Sequence, residues 1–310
     1  MVDEVFEHMN TLNLAIFGRY FKKDRYTELQ QFFDFLENSD IHFTVYRKFL
    51  EDGLRNGLIV SPNTKTFDSY KDFNKHDFDF VVSIGGDGTI LMCLEFVREK
   101  ETPIIGINTG RLGFLAGVPA NESINMLDEL KKNRFSIDSR TVLKLDSNKP
   151  NMFGGVKYAL NDFVIHKKDS SSMITIHTFI NGEFLNSYWS DGLIISTPTG
   201  STGYNLSCGG PILYPSSASF VITPIAPHNL NVRPIIISDN NVISFQVEGR
   251  STSFLATLDS RSESIESDSE LAVCKASFKM NLVRLNNENY LKTLREKLLW
   301  GIDNRNFRNT

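Results

Sequence analysis

An apolar segment that runs directly into a glycine-rich turn constrains the fold of this chain more than any other feature. Phe78–Ile84 has the composition of a buried strand, and Gly85-Gly86-Asp87-Gly88-Thr89 follows it without a break. Ile90–Val97 then carries leucine and methionine at helical spacing. Glycines let the backbone approach a ligand closely, and a helix N-terminus offers N–H groups to an anion. The segment therefore predicts a strand, a phosphate-binding turn and a helix.

The same turn has a local alternative, because Gly-Gly and Asp-Gly also form two-residue hairpin turns. The helical spacing after Thr89 argues against a hairpin. The turn matches neither common nucleotide motif: Leu91 stands where a dinucleotide-binding fingerprint needs a small residue, and no lysine follows as in a Walker A loop. Hydride transfer and ordinary P-loop chemistry are therefore not favoured.

The first part of the chain alternates predicted strands and helices. Residues 12–18, 41–46 and 103–108 are apolar strands, and 25–38 is a helix with apolar positions 29, 32, 33 and 36. Such alternation predicts a doubly wound α/β domain with a parallel sheet, whose ligands bind at the carboxyl ends of the strands. Asp87 and Asn108 both follow such ends. The polar stretch 61–77 is predicted to be a loop or a surface helix.

After about residue 137 the pattern changes to short β-rich segments with turn signals. This predicts an all-β, sandwich-like domain, with strands at 141–145, 158–166, 174–180, 193–196, 220–225, 235–238, 242–247, 253–258, 271–276 and 281–285. The Ser- and Glu-rich segment 259–270 is predicted to be a solvated loop, and 290–299 a helix that packs back on the body. We thus predict domains at 1–137 and 138–285, followed by a C-terminal helix and tail at 286–310.

A dense run of hydroxyls and glycines, Thr197–Pro211, follows the apolar strand Gly192–Ile195. A strand that delivers the chain into hydroxyl and backbone N–H groups is suited to hold phosphate and ribose. A Ser/Thr-rich surface loop is the alternative. Within the run, Ser201 is predicted to cap a short helix. We refer to Thr197–Pro211 as the cradle.

Composition excludes several classes of function. The 310 residues carry a net charge of −4 with no extended basic cluster, so nucleic acid is not an expected partner. No apolar run approaches the length of a membrane span, and the N-terminus lacks a signal sequence, so a cytoplasmic protein without a membrane partner is predicted. Cys93, Cys208 and Cys274 are too far apart for a metal site, and Cys208 is expected to be a packing residue.

Several motifs together resemble the NAD kinase family. They are Gly85–Thr89, Asn108-Thr109-Gly110-Arg111-Leu112-Gly113-Phe114-Leu115, Asn161-Asp162, Ser190-Asp191-Gly192, the cradle, Pro227–Leu230 and Arg233-Pro234. The similarity runs from roughly residue 80 to 260, in the same order and spacing. The Gly-Gly-Asp-Gly turn alone is weak, because lipid kinases and phosphofructokinases carry similar turns, whereas the cradle is much more specific.

The resemblance implies transfer of the γ-phosphoryl group of ATP to the 2′-hydroxyl of the adenosine ribose of NAD. A carboxylate beside that hydroxyl can orient it and accept its proton, and Asp87 is the candidate base. Its alternative roles are to hold Mg²⁺ or to cap the turn. Gly85, Gly86, Gly88 and Thr89 are expected to contact phosphates. Mg²⁺ or another divalent cation is expected to arrive with ATP rather than in a protein metal site.

The resemblance also implies the residues that bind the dinucleotide. Asn161 and Asp162 correspond to an Asn-Glu pair at the adenosine part, and Asp191 to the aspartate at the nicotinamide end. Trp189 stands where many members carry a basic residue, which leaves the preference between NAD and NADH open. The remaining implied contacts are Asn108, Phe114, Thr202, Gly203, Tyr204, Asn205, Leu206, Ser207 and Arg261. Tyr204 is expected to stack on a base, and the chain to form a homodimer or homotetramer.

Two other functions remain as alternatives. A lipid kinase could share the glycine turn, although the chain lacks a basic or amphipathic membrane-facing stretch. A dinucleotide-binding sensor could keep the cradle without the chemistry, although retention of Asp87 argues against it.

Overall fold

The computed structural model describes residues 11–20, 23–110, 113–149, 151–168, 172–285 and 289–300. Backbone contacts divide the chain into two units, Met1–Asp138 with Asn281–Thr310, and Ser139–Met280. The helices and strands that begin within the first 138 residues are β1 (Asn13–Gly18), α1 (Tyr26–Glu37), β2 (His42–Tyr46), α2 (Arg47–Arg55), β3 (Lys65–Phe67), α3 (Tyr70–Phe73), β4 (Phe80–Gly85), α4 (Asp87–Val97), β5 (Ile104–Asn108), β6 (Val118–Pro119), α5 (Ser123–Lys131) and β7 (Phe135–Ser147).

The sheet of the first unit is parallel, as predicted. Its strands lie in the order β3-β2-β1-β4-β5, β6 pairs with β5, and the end of a strand near the C-terminus joins β5 through Leu282 and Ile104. Asn13 pairs with His42, and Val81 with Ile104. From β1 the chain adds β2 and β3 on one side of the sheet, and then β4 and β5 on the other side. This is the doubly wound arrangement that the alternating pattern predicted.

Helix α1 shows how the pattern produces the core of this unit. Leu29, Phe32, Phe33 and Leu36 recur at helical spacing, and all four are buried in one cluster with residues of β1 and β4. Burial of side chains of this size contributes about 1.5–3 kcal/mol each relative to exposure. The helical prediction for this segment is confirmed.

The stretch 61–77 is more structured than its polar composition suggested. It contains β3 and α3, and Ser69 caps α3 by accepting a hydrogen bond from the Asp72 N–H. Phe67 and Phe73 are almost completely buried, with ring centroids 5.6 Å apart. Two isolated aromatic residues therefore anchor a segment that was predicted to be a loop or a surface helix.

The second unit contains two antiparallel groups of strands. The further elements in chain order are β8 (Tyr158–Ala159), β9 (Asp162–His166), β10 (Ile174–Ile180), β11 (Glu183–Ser190), β12 (Gly192–Ser196), α6 (Tyr204–Ser207), β13 (Ser219–Ile225), β14 (Ile235–Ser238), β15 (Ile243–Glu248), β16 (Ser253–Leu258), β17 (Arg261–Glu266), β18 (Leu271–Leu285) and α7 (Tyr290–Leu298). One group has the order β11-β10-β15-β18, and the other has the order β14-β13-β12-β9-β16-β17.

Alternating residues of both groups share one apolar core. Phe163, Ile195 and Phe220 on the six-stranded side cluster with Ile176 and Phe245 from β10 and β15. Alternate residues of β9, β12 and β13 enter this core, while Val164, Ile194 and Ile225 on the other face form a separate buried cluster. The predicted sandwich-like architecture is confirmed.

Three local predictions need correction or refinement. Residues 271–285 form the single strand β18 rather than two strands. The segment 259–270 is not a simple loop, because β17 pairs with β16 and buries Ile265. Helix α7 buries Leu294, but Leu291 is 49% exposed. Within the described ranges, none of the helices is long and apolar enough to cross a membrane.

The aromatic cluster around Phe67 gives a stability prediction. We expect Phe67→Ala to destabilise the protein by about 3–5 kcal/mol, because it leaves a cavity among Phe73, Phe78 and Phe96. Denaturant unfolding followed by fluorescence checks this. Phe184, which is 56% exposed, is the matched control, and Phe184→Ala should change stability by less than about 1 kcal/mol. Equal effects of the two changes would contradict the prediction.

Candidate active site

The glycine turn connects two elements at the carboxyl edge of the parallel sheet. Strand β4 ends at Gly85 and α4 begins at Asp87. Gly85 is in register with Asn108 at the end of β5, and the Thr109 N–H donates to the Gly85 carbonyl over 3.2 Å. A Cβ at Gly85 would lie 2.1 Å from Thr89 Oγ1, so a larger residue does not fit there. The turn thus brings Asp87 and Asn108 to the same edge, as the strand order predicted.

The Asp87 carboxylate accepts hydrogen bonds from three consecutive backbone N–H groups. Phe114 N lies 2.7 Å from Oδ2, and the nitrogens of Leu115 and Ala116 each lie 3.0 Å from Oδ1. A Cβ at Gly113 would lie 1.7 Å from Oδ1, so glycine permits this approach. A carboxylate has about four acceptor positions, so three N–H groups fix its orientation and leave room for one further donor.

The loop 114–116 is also held through its carbonyl groups. Arg284 on β18 donates to the carbonyls of Phe114 and Leu115, each over 3.2 Å, and its Nε donates to Asp138 over 3.2 Å. Asn108 Nδ2 donates to the Ala116 carbonyl over 3.3 Å. Sequence analysis did not identify Arg284, since it lies about 170 residues from the loop and belongs to no motif.

In the second unit, the start of the cradle lies directly against residues 160–161. Thr197 Oγ1 donates to the Leu160 carbonyl over 2.5 Å, and the Thr197 N–H donates to the Asn161 carbonyl over 2.9 Å. A Cβ at Gly200 would lie 2.2 Å from the Asn161 carbonyl oxygen. The cradle and the Asn161-Asp162 pair, predicted separately from sequence, are thus in contact.

The buried Asn205 holds the middle of the cradle. Its Nδ2 donates to the carbonyls of Ser201 and Pro211, and its Oδ1 accepts from the Thr223 hydroxyl over 2.6 Å. Around it, α6 leaves Tyr204 and Ser207 exposed, at positions three residues apart that share a helical face. The predicted contacts Tyr204 and Ser207 are therefore accessible, whereas the side chain of Asn205 is engaged within the protein.

The predicted cap at Ser201 is wrong. Its hydroxyl donates to the Pro198 carbonyl over 2.6 Å and accepts from the Leu213 N–H over 3.0 Å, and α6 begins after Gly203 without a side-chain cap. A Cβ at Gly203 would lie 3.2 Å from the Gly200 carbonyl oxygen, so an alanine there would be tight. Thr202 donates to the Thr199 carbonyl over 3.4 Å, and Leu206 is half-buried.

Asp162 and Asp259 are two neighbouring carboxylates in a poorly solvated environment. Asp162 is 6% exposed, and burial together with the nearby charge of Asp259 raises its pKa to about 7. Burial also raises the pKa of the Tyr204 hydroxyl, with further contributions from Cys208, Asp191 and Asp162. The charges of Asp162 and Asp191 both act on Tyr204, although these two aspartates lie at opposite ends of the paired strands β9 and β12. Burial raises the pKa of the Cys208 thiol, which suits a packing role.

Asp191 forms an ion pair that sequence analysis missed. Lys167 Nζ lies 2.6 Å from Asp191 Oδ1, and the Lys167 N–H donates to the Asp191 carbonyl over 2.9 Å. Both side chains are more than two-thirds buried. Lys167 directly follows β9, whereas Asp191 precedes β12, so the antiparallel pairing of these strands brings the two residues together.

The Trp189 side chain is exposed, whereas the Arg261 side chain is bound to the backbone of the protein. The Trp189 ring is 51% exposed and packs on the His228 ring with centroids 4.2 Å apart. The Arg261 guanidinium instead donates to the backbone carbonyls of Val156 and Tyr158. A ligand contact by Arg261 stays a prediction. In the described part of the chain, no group of three or more His, Cys, Asp or Glu side chains could hold a metal ion.

Comparisons with known proteins identify the family. The ATP-NAD kinase N-terminal domain matches residues 14–135, and the ATP-NAD kinase C-terminal domain matches residues 160–285. The NAD kinase of Cytophaga hutchinsonii is 48% identical over 292 residues, which cover 94% of this chain and 99% of that protein. The NAD kinase of Flavobacterium psychrophilum is 45% identical over 296 residues, which cover 95% of this chain and 100% of that protein.

The chain belongs to the NAD kinase family.

Two solved structures share the fold of this chain. The crystal structure of yeast NADH kinase complexed with NADH superposes with a TM-score of 0.84 at 24% identity, covering 97% of this chain and 91% of the yeast chain. An NAD kinase from Archaeoglobus fulgidus in complex with ATP gives a TM-score of 0.67 at 24% identity, covering 93% and 99%. The family assignment confirms the resemblance and supports neither the lipid kinase nor the non-catalytic sensor.

The raised pKa of Asp162 predicts a pH-dependent stability. The folded state retains this proton up to about pH 7, whereas the unfolded chain loses it near 3.8, so stability should fall as pH rises between these values. Each pH unit in this interval corresponds to about 1.4 kcal/mol. We expect Asp162→Asn to flatten the fall of the melting temperature between pH 4 and 7. The control is Asp268→Asn at a surface carboxylate that is 75% exposed, and it should keep the wild-type slope. A wild-type slope in Asp162→Asn would refute the prediction.

Proposed function

We propose that this chain transfers the γ-phosphoryl group of ATP to the 2′-hydroxyl of the adenosine ribose of NAD, with Asp87 as the residue that orients and deprotonates the hydroxyl. The NAD kinase activity follows from family membership. The observation that carries the role of Asp87 is its carboxylate, fixed by three backbone N–H groups at the carboxyl edge of the sheet.

In this reaction the protein forms no covalent bond to the substrate. A ribose hydroxyl is a poor nucleophile, and phosphoryl transfer is accelerated chiefly by positioning and by stabilisation of charge. As the ribose oxygen forms its bond to the γ-phosphorus, the bond from that phosphorus to the bridging oxygen breaks and ADP leaves. The hydroxyl proton passes to the remaining acceptor position of Asp87. A carboxylate that is already fixed by three donors does not have to reorganise during this step.

The glycine turn is proposed to receive the phosphates. The first turn of a helix has N–H groups without intrahelical partners, and Gly86 and Gly88 lie at the start of α4. The Thr89 N–H donates to the Gly86 carbonyl over 2.9 Å and so closes the turn. Neither Gly86 nor Gly88 has another atom within 4 Å of a Cβ position, so a ligand can approach them closely. The divalent cation enters as part of the ATP substrate, bound by its phosphate oxygens.

The second unit is proposed to bind the dinucleotide. Asn161 and Asp162 contact the adenosine ribose, the exposed Tyr204 ring stacks on a base, and Ser207 on the same face of α6 supplies a hydroxyl. Asp191, oriented by Lys167, receives the nicotinamide end beside Trp189. Asn205 and Thr202 support this surface from within, since their side chains bond to the cradle backbone.

Self-association and location complete the proposal. Ile236 on the end strand β14 is 50% exposed and Leu230 is 82% exposed, and exposed apolar residues beside a sheet edge favour association with another chain. We propose a homodimer or homotetramer in the cytoplasm. Light scattering after size-exclusion chromatography measures the oligomeric state.

Purified protein with ATP and Mg²⁺, offered NAD and NADH in separate reactions, tests the function. Formation of 2′-phosphorylated dinucleotide is the expected result. Binding of NAD without any phosphorylated product would overturn the proposed catalysis.

The role of Asp87 predicts a separation of binding from turnover. Asp87→Asn should lower kcat by about 10²- to 10⁴-fold because the amide cannot accept the hydroxyl proton, while the Kd for NAD measured by calorimetry changes little. Arg284→Lys is the matched control, since it disturbs the same loop through its carbonyls and leaves the carboxylate intact. Equal losses of kcat in both variants would show that loop geometry, and not the carboxylate, accounts for the effect.

Trp189 predicts a discrimination between redox forms. The nicotinamide ring is cationic in NAD and neutral in NADH, and an indole face attracts a cation by about 0.5–2 kcal/mol. We expect Trp189→Ala to lower kcat/KM for NAD more than for NADH, and Trp189→Phe to retain most of the difference. Steady-state kinetics with both substrates measure this. A ratio unchanged by the alanine substitution would exclude the contact.

A further inference from the structure

A second carboxylate, Asp259, binds three consecutive backbone N–H groups. Its Oδ2 accepts from Leu160 N over 2.9 Å, and its Oδ1 accepts from Asn161 N over 2.7 Å and from Asp162 N over 3.3 Å. The Asp259 N–H in turn donates to the Asp162 carbonyl over 3.0 Å. Asp259 and the segment 160–162 are therefore joined in both directions, across almost 100 residues of sequence.

The backbone of Asp259 is adapted to this contact. Asp259 and Ser260 form the turn between β16 and β17, where Leu258 pairs with Arg261, and Asp259 has a φ of 49°. Aspartate, asparagine and glycine tolerate this left-handed region better than other residues. The conformation aims a short carboxylate at the 160–162 backbone.

Arg261 holds the preceding residues from the same turn. Its guanidinium donates to the carbonyls of Val156 and Tyr158. The turn thus contacts the segment 156–162 with an anion on its N–H groups and a cation on its carbonyl groups. The charges of the two side chains also interact, since Arg261 counteracts the rise that burial causes in the Asp259 pKa.

We propose that Asp259 is a positioning residue for the dinucleotide: its carboxylate fixes the 160–162 backbone and so holds Asn161 and Asp162 in the geometry that receives the adenosine ribose. This inference rests on the proposed function, because it assigns the ribose contact to these two residues. The Leu160 and Asn161 carbonyls also accept from Thr197, so the same clamp supports the start of the cradle.

The position of Asp259 also affects the charge of Asp162. Burial and Asp259 raise the Asp162 pKa to about 7. Among the described residues, Tyr204 on α6 and Cys208 after it also interact electrostatically with Asp162, while β12 and β16 contribute uncharged side chains. Arg261 interacts with Asp259. His166 lies at the far end of β9. Removal of the Asp259 charge should therefore move the ionisation of Asp162 to lower pH.

The test compares Asp259→Asn with wild type from pH 5.5 to 8.5. Asparagine tolerates the positive φ but places an amide against an N–H donor, so we expect KM for NAD to rise roughly tenfold or more, with smaller changes in kcat and in KM for ATP. We expect kcat/KM for NAD in the wild type to show an inflection near pH 7 from the ionisation of Asp162, and we expect this inflection to shift to lower pH in the variant. Asp259→Gly also tolerates the backbone angle and should give the same two changes, so it decides the result if the asparagine variant does not fold.

Asp79 provides a matched control. Its carboxylate accepts from Asn13 N over 2.7 Å and its N–H donates to the Asn13 carbonyl over 2.8 Å, the same reciprocal arrangement in the first unit. Asp79→Asn should leave KM for NAD and the pH inflection unchanged. The positioning role is overturned if Asp259 variants keep the wild-type KM and inflection, if they lower only the melting temperature, or if Asp79→Asn reproduces their effects.

Failure of the proposed function would be visible separately. If the wild type binds NAD but forms no phosphorylated product, catalysis is absent, and calorimetric Kd values for NAD in wild type and Asp259→Asn then decide the positioning role. If the wild type turns NAD over and the variant behaves identically, the positioning role alone is wrong. Absence of NAD binding by the wild type would overturn both.

Discussion

The candidate active site depends on the attachment of Asp87 to the backbone of residues 114–116. This loop contains neither helix nor strand at Phe114–Ala116, so its polar groups need partners from elsewhere. Asp87 supplies them for the N–H groups, and Arg284 and Asn108 supply them for the carbonyls. The shape of the loop is consequently set by three side chains that stand on regular elements. The proposed base is fixed by the same hydrogen bonds that shape its surroundings.

Both units contain an aspartate whose carboxylate accepts hydrogen bonds from three consecutive backbone N–H groups. Asp87 and Asp259 each bind three successive N–H groups of a segment that is distant in sequence. Successive backbone N–H groups form a concave site for an anion, and here the anion is a side chain of the protein itself. Hydrogen bonds to a charged group contribute about 1.5–3 kcal/mol each, more than neutral ones. In the first unit these bonds hold a loop that is neither helix nor strand, and in the second they hold the short connection between β8 and β9.

Sequence predicted the features that repeat or that have local chemistry. The spacing of Leu29, Phe32 and Leu36 predicted α1, and the strand, glycine turn and helix around Asp87 were found in the predicted order. The short elements β3 and α3 were not predicted, because three or four residues are too few to show a hydrophobic periodicity. Ser201 followed the usual rule for a helix cap, but tertiary partners captured its hydroxyl.

The supporting residues of the site could not be predicted at all. Three of them bind backbone or side-chain atoms that are distant in the chain: Arg284, Lys167 and Asp259. The residues next to them in sequence do not indicate which atoms they bind. Their contacts arise from strand pairing, which a single sequence does not specify. Some residues predicted from motifs, such as Tyr204 and Ser207, are exposed, whereas Asn205 is buried and bonds to the cradle backbone. Arg284, Lys167 and Asp259 belong to no motif that the sequence analysis used.

Strand β18 has a consequence for the order of folding. It begins in the second unit, ends in the first, and carries both Leu282, which pairs with Ile104, and Arg284, which holds the loop beside Asp87. During synthesis, the first 138 residues leave the ribosome long before this strand does. The pairing of β5 at Ile104 and the contacts of Arg284 with the loop 114–116 are therefore absent until β18 has been synthesised. The geometry around Asp87 thus depends on a residue that is synthesised about 170 residues after the loop it holds.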